Sequence, residues 1–245
     1  MINTSRRGRS GFTLVELLVV VVIIAALAAL AFTMGPRMMT RAKASESMQN
    51  IRQIGPLLST YAADHGMKLP AAKAQVTQLD GTTTDLQWNE VCLALLFPET
   101  PPADFKTKDW WKNNKALLRN PLLKETAAAG GWAPLNPGYA MNEMIAENLA
   151  LAIGAVTPSH NDLLAISVPF AALADPVRTA LIAPFNHFTY RYDAAEVSGF
   201  KTEPLHGLLV EERVPVLFVD GHIETMSPNE YVARKLYLVP IAPLP

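Results

Sequence analysis

Gly11-Phe12-Thr13-Leu14-Val15-Glu16-Leu17 opens an apolar run that lasts to Met34. Between Phe12 and Met34 the only polar residues are Thr13, Glu16 and Thr33, and 17–32 is unbroken apolar sequence. As a helix, this stretch would be roughly 34 Å long at about 1.5 Å per residue. A hydrocarbon core is roughly 30 Å thick, so one crossing is expected over 12–34. Arg6, Arg7 and Arg9 stand just upstream with no acid among them. The positive-inside bias therefore places the N-terminus in the cytoplasm and everything after Met34 across the membrane.

Glu16 is the anomaly of this helix. A carboxylate at the centre of a membrane helix costs roughly 2.5–3.5 kcal/mol on insertion scales, and such acids usually mark function. Glu16 lies near the cytoplasmic end, where the cost is smaller, but it still needs a partner. Cleavage after Gly11 would create an α-amine on Phe12, about one turn before Glu16. With a pKa of about 8 that amine is cationic at neutral pH and can neutralise a carboxylate on a neighbouring helix. Two bland readings compete: an ordinary secretory signal, since Ala26-Leu27-Ala28 and Ala29-Leu30-Ala31 both fit a small-residue cleavage site, and an uncleaved signal-anchor. The first leaves Glu16 unexplained.

Arg9-Ser10-Gly11 followed by Phe12-Thr-Leu-Val-Glu16-Leu17 resembles the class III signal of type IV prepilins and type II secretion pseudopilins. The resemblance implies cleavage between Gly11 and Phe12 by an inner-membrane prepilin peptidase, and N-methylation of Phe12. It also implies a role for Glu16 in docking subunits into a filament with copies of the chain, other pilin subunits and an inner-membrane assembly platform. Asn50-Ile-Arg-Gln-Ile54 through Tyr61 resembles, more narrowly, the helix end of a pseudopilin-like group abundant in Planctomycetota and Verrucomicrobiota. Pro137-Gly-Tyr-Ala-Met-Asn142 and Val216-Leu-Phe-Val-Asp-Gly-His-Ile-Glu224 resemble the same group. Its His-Gly pair corresponds to His206-Gly207, which stands farther from Asp220-Gly221 than the group's pattern has it.

Beyond the membrane stretch, Gly35-Pro36 predicts a kink or short break. Ala44, Met48, Ile51, Ile54, Leu58 and Tyr61 then recur at helical spacing and draw one apolar stripe, with Arg41, Lys43, Gln49, Asn50, Arg52 and Gln53 elsewhere around the helix. Gly55-Pro56 is a second expected kink, and Gly66 fits the left-handed position that ends a helix. The expected fold is α+β and pilin-like: a long kinked N-terminal helix, half membrane-spanning and half amphipathic, packed on a C-terminal antiparallel sheet. The corresponding segments are a leader at 1–11, a membrane helix at 12–34, an amphipathic half at 35–66 and a globular body at 67–245.

Within the body, 81–85 reads as a turn or exposed loop, and 88–97 as a short buried helix capped by Asn89. The segment 142–154 reads as a helix with Asn142 as its N-cap and Gly154 as its stop. Segments 163–169 and 178–184 read as proline-bounded strands, and 188–192 as a half-buried strand. Asp220-Gly221 between 214–219 and 222–226 predicts a two-residue type I′ hairpin. The segment 227–245 reads as an extension with a short helix from Asn229 and a proline-rich tail.

Composition narrows the function. The leader arginines set aside, 18 basic and 22 acidic residues remain, a net charge of −4 that does not recommend nucleic-acid binding. Trp110-Trp111 beside Lys112 and Lys115 is better explained by one core ring and one loop ring than by a base-stacking platform. Cys92 is the sole cysteine, so no intrachain disulfide forms. His65, His160, His187 and His206 show no ligand spacing. Asp220, His222 and Glu224 would share a face only in a continuous strand, which the turn interrupts, so no metal ligand is assigned. No cofactor motif and no catalytic motif is present in the sequence. The expectation is a structural filament subunit of the inner membrane with an extracytoplasmic body. The alternative is a membrane-tethered binding module or enzyme that uses the signal only for export.

Overall fold

The computed structural model describes residues 13–77, 81–101, 104–107, 110, 118–123, 138–154, 159–185, 189–190, 210–236 and 239–242. Two compact units divide the chain, Met1–Ala42 and Lys43–Pro245. One helix, α1, is assigned over Leu14–Asp64. It runs unbroken through Gly35-Pro36 and Gly55-Pro56, so the sequence overstates the chance of a break there. Each proline removes one backbone donor, and hydroxyls one turn later bond to the carbonyls at the two Gly-Pro pairs. Thr40 donates to the Pro36 carbonyl at 3.0 Å, Thr60 to that of Pro56 at 2.9 Å, and Ser59 to that of Gly55 at 3.1 Å. Such back-bonding is a known cause of helix bending. The helix ends as expected: Gly66 has φ +65°, and the Met67 amide reaches back to the Ala62 carbonyl at 2.7 Å, the long bond of a Schellman cap.

In the Lys43–Pro245 unit, β1 (Lys73–Thr77) and β2 (Thr83–Gln87) form an antiparallel hairpin, where the sequence predicts only a loop over 81–85. The second strand is mostly polar, with Leu86 and Gln87 its buried residues. The helix α2 (Trp88–Leu96) follows at once. Its N-cap is Gln87, not Asn89: Glu90 accepts the Gln87 amide at 2.7 Å, while Asn89 lies within the first turn, fully buried.

The main sheet has the order β5-β3-β4-β6-β7, built from β3 (Tyr139–Asn142), β4 (Ala180–Pro184), β5 (Thr189–Tyr190), β6 (Val214–Phe218) and β7 (Ile223–Met226). Its pairs are antiparallel except β3 with β5, which run parallel at the edge. The strand predicted over 178–184 is therefore present as β4. That over 188–192 is present at Thr189–Tyr190, its remaining residues lying outside the described set. The strand predicted over 163–169 is not formed. Ser159 starts a helix there instead, accepting the Asp162 amide while Asp162 accepts that of Ser159, and α4 (His160–Leu164) takes up Leu163 and Leu164; the rest of the segment makes only an isolated bridge, Pro169 with Lys68. Between β3 and it lies α3 (Met144–Ala152), stopped as predicted by Gly154 at φ +80°.

Alternation in the strands gives this sheet two buried faces. On one, Met141, Ile182 and Leu217 join Ile51, Ile54 and Leu58 of α1, with Trp88, Cys92, Leu93 and Tyr139, in one core. The predicted apolar stripe is thus the inward face of the helix, most deeply buried at Ile51 and Ile54. A Cβ on Gly55 would stand 3.4 Å from the Leu217 side chain, so glycine lets the helix approach β6 closely. On the other face, Ala140, Ala183, Val216 and Phe218 pack with Tyr231 and Leu236. Tyr231 belongs to α5 (Pro228–Ala233), capped by Ser227 and Glu230. The C-terminal segment is therefore not an extension. Its helix packs on the second sheet face through Tyr231 and Val232, beside Leu122, Leu123, Phe185 and Leu236; Val239 enters the first core, and Ile241 bridges to Leu173.

The β6–β7 hairpin differs in its turn. The strand stops at Phe218 and Val219 joins the turn with its side chain in the core. The Gly221 amide bonds to the Phe218 carbonyl, the Phe218 amide to that of His222, and of the turn residues only Gly221 has positive φ, +92°. This is a three-residue loop with glycine at the left-handed place, not a type I′ turn. A tight turn with positive φ at both centres does occur nearby, at Glu211 (+54°) and Glu212 (+61°), closed by reciprocal bonds between Val210 and Arg213.

Candidate functional site

The first described residues are Thr13 and the start of α1. Gly11, Phe12, Arg6, Arg7 and Arg9 lie outside the described residues. The helix begins on a capping box. The Glu16 Oε2 accepts the Thr13 amide at 2.9 Å and the Thr13 hydroxyl at 2.9 Å, and the Glu16 amide donates to the Thr13 Oγ1 at 3.2 Å. A threonine followed three residues later by glutamate is the pattern that satisfies two orphan amides at once, and the carboxylate also complements the positive helix end. The sequence reading of Glu16 missed this local role, although Thr13-x-x-Glu16 spells it. Both contacts fall on Oε2, so within the described residues Oε1 is left available.

Beyond the cap, the helix offers apolar side chains on every side. Leu14, Val15, Leu17, Leu18, Val22, Ile24, Leu27 and Leu30 are all at least half exposed, and Phe32 is 84% exposed. An 18-residue window of this helix has none of its residues buried, and the helix is long and apolar enough to cross a membrane. A helix that is apolar all round is stable only when another apolar phase or other helices cover it.

Residues 6–32 match a family described as the prokaryotic N-terminal methylation motif. The chain carries a class III, prepilin-type signal. The match spans Arg6, Arg7, Arg9, Gly11, Phe12 and Glu16 and ends within the apolar run. A prepilin-like protein with one apolar helix near its N-terminus is consistent with a single-pass membrane anchor, and the motif implies processing by prepilin peptidase and assembly with other pilin subunits. No curated protein and no solved structure matches the chain.

The Lys43–Pro245 unit holds the other candidates. Asp220, His222 and Glu224 do come together at the hairpin tip. His222 Nδ1 lies 2.6 Å from Asp220 Oδ1, its Nε2 3.4 Å from Glu224 Oε1, and its ring stacks on Phe218 with centroids 4.2 Å apart. The Asp220 carboxylate also accepts the His222 amide, the backbone duty expected of an aspartate in a turn. Glu224 pairs with Arg234 of the turn after α5, whose guanidinium holds its carboxyl below the usual carboxylate range. These donors and acceptors are spent on one another, and among the described residues no cluster of three His, Cys, Asp or Glu side chains is arranged to hold a metal.

His65 stacks on Tyr61 and contacts its carbonyl, and His160 stands 3.9 Å from Glu143; His187 and His206 lie outside the described residues. Trp110 meets Phe105 and Phe97 edge-on at 5.0 and 5.6 Å and packs on the core, as the bland reading of that pair requires; Trp111 lies outside the described residues. Cys92 is fully buried, and burial pushes its thiol up to about 12, a packing residue rather than a nucleophile.

Proposed function

We propose that the chain is a structural subunit of a type II secretion pseudopilus or type IV pilus-like filament. It is made as a membrane precursor with its N-terminus in the cytoplasm, held by Arg6, Arg7 and Arg9, and its body across the membrane. Prepilin peptidase cuts between Gly11 and Phe12 and the new Phe12 amine is N-methylated. The observation that carries this reading is the conjunction of the methylation signal over 6–32 with a helix left apolar on all sides. In the membrane lipid covers that helix; in the filament, copies of the same helix do.

The capping box refines the part given to Glu16. Thr13 occupies one carboxylate oxygen and lowers the cost of holding the acid near the bilayer edge before assembly. The other oxygen is free to meet the Phe12 ammonium of a neighbour, and a carboxylate has acceptor capacity for both. Glu16→Ala is expected to leave cleavage intact and to lower filament incorporation at least tenfold, read by crosslinking between N-terminal helices. Incorporation at the wild-type level would refute charge pairing. Gly11→Leu is expected to abolish shortening of the precursor on a gel; a normally shortened product would refute the cleavage site. A tethered module would show cleavage without crosslinks.

A further inference from the structure

We propose that a polar cleft within the Lys43–Pro245 unit binds a neutral saccharide of one or two rings. The cleft lies between the end of α1, the β1–β2 hairpin and α4 with the residues that follow it, and has a volume of about 480 Å³. Small-molecule sites run from roughly 300 to 1,000 Å³. It shares no residue with the methylation signal or with the Asp220 turn. Its room comes from short side chains: Ala71, Ala74 and Ala165 line it where longer ones would fill it.

The polar wall follows from strand alternation. Lys73 and Gln75 of β1 share one face of the hairpin with Asp85 of β2, which stands opposite Gln75 in the register. Lys73 Nζ lies 2.9 Å from Asp85 Oδ2, with 40% and 36% of the two side chains exposed. An ion pair this open to water is weakly held. It also leaves the lining without net charge. On the other side, Asn161 of α4 brings a second amide, and Ser167 donates to the Leu69 carbonyl, which orients its oxygen as an acceptor. Tyr61 adds a ring held by its stack on His65, with centroids 3.8 Å apart and planes 8° from parallel.

These groups suit hydroxyls rather than ions. A hydroxyl both donates and accepts, so one can accept from the Lys73 ammonium and donate to the Asp85 carboxylate without separating them. The amides of Gln75 and Asn161 each set a donor beside an acceptor, which is what adjacent sugar hydroxyls offer in return. A charged ligand of either sign would have to displace one member of the ion pair and would gain no net attraction from the wall. An apolar ligand would bury the pair and both amides without partners. Tyr61 supplies a flat apolar surface beside a polar tip, suited to a ring that is apolar on its C–H face and polar at its rim.

The test uses the full chain in a detergent without a sugar headgroup and reads binding by saturation-transfer NMR. Cellobiose, maltose, lactose and N,N′-diacetylchitobiose are the probes, with glucuronate and glucosamine as charged controls. At least one neutral disaccharide should receive transfer at millimolar concentration, and the charged sugars should bind several-fold more weakly. Ala165→Trp fills the cleft from an exposed position and should weaken binding by about tenfold or more. Gln75→Ala removes an exposed amide, should weaken binding several-fold, and carries the test if the tryptophan variant does not fold. Transfer to none of the four disaccharides would overturn the saccharide site. So would transfer undiminished in the folded variants, or tighter binding of either charged sugar.

Discussion

The hydroxyl of Tyr139 donates toward Ser47, 3.2 Å from its carbonyl and 3.1 Å from its Oγ, and so ties β3 to the amphipathic part of α1. Its neighbours complete the joint: Asn50 donates to the Arg119 carbonyl at 2.8 Å, and Asn142 to that of Ala180 at 2.9 Å. Asn142 also accepts the Met144 amide at 3.1 Å, so it serves the start of α3 from the end of β3, one place before the N-cap Glu143, whereas the sequence suggests Asn142 itself as the cap. Gly138 cannot carry a side chain, because φ is +73° and a Cβ would come within 2.7 Å of Asn120. These contacts give Pro137-Gly-Tyr-Ala-Met-Asn142 a physical reason for each of its last residues but the alanine and methionine, which simply pack on opposite sheet faces. Burial raises the Tyr139 phenol from its ordinary 10 to about 12. A raised folded value means that stability is full below pH 10 and is lost as pH climbs through 12. Tyr139→Phe should cost about 1–2 kcal/mol at neutral pH, because Ser47 loses its buried partner. It should also weaken the alkaline loss of stability, as followed by denaturant titration. An unchanged midpoint at pH 7 would refute the joint.

At the level of elements, the C-terminal helix α5 is held to the hairpin by carboxylates. Arg234 grips Glu224 on β7, Arg213 pairs with Glu230 at 3.1 Å, and Glu230 accepts the Ser227 amide. Arg234 lowers the Glu224 carboxyl, and the Ser227 amide lowers that of Glu230. Lowered folded values mean that these contacts stabilise above the ordinary carboxylate range and are lost as pH falls through and below it. The pairs are largely exposed, so the effect is modest and salt-sensitive. Hydrogen exchange should show α5 opening more readily near pH 3 than near pH 6, and Arg234→Gln should reduce that difference. Equal protection at the two pH values in the wild type would count against the clip.

Elements with a strong apolar period were legible in sequence: the stripe Ile51, Ile54, Leu58 and the strands at 180–184 and 214–218. The hairpin of β1 and β2 was not, because Thr83, Thr84 and Asp85 spell a polar turn rather than a strand. The helix at 160–164 was missed because an apolar run reads as a strand until its Ser159 and Asp162 capping pair is noticed. Asp220-Gly221 was recognised as a turn but not its length, which Val219 sets by turning into the core. The capping box of Glu16 was spelled in the sequence and passed over, since the acid's isolation in an apolar run drew the eye to distant partners.

For the whole molecule, the chain joins an apolar helix that needs an apolar surrounding to a body whose sheet is covered on both faces. Among the described residues, one face of the sheet meets α1 beyond Lys43, and the other meets α5. Most of the exposed large apolar side chains among the described residues lie in the Met1–Ala42 unit, where the methylation signal also lies. That division supports a subunit whose assembly is written in its N-terminal helix and whose body is carried along. Ile54→Ala, in the fully buried core, should cost about 2–5 kcal/mol of body stability yet leave processing of the signal unchanged, as seen by thermal unfolding and by precursor size. Failure of processing in that variant would join what the account keeps separate. The most direct test of the central claim is the mass of the N-terminal peptide from the native protein extracted from membranes. The account predicts a chain that begins at Phe12 with a methyl group on its amine. A chain that begins at Ala29 or Phe32, with Glu16 discarded, would contradict it.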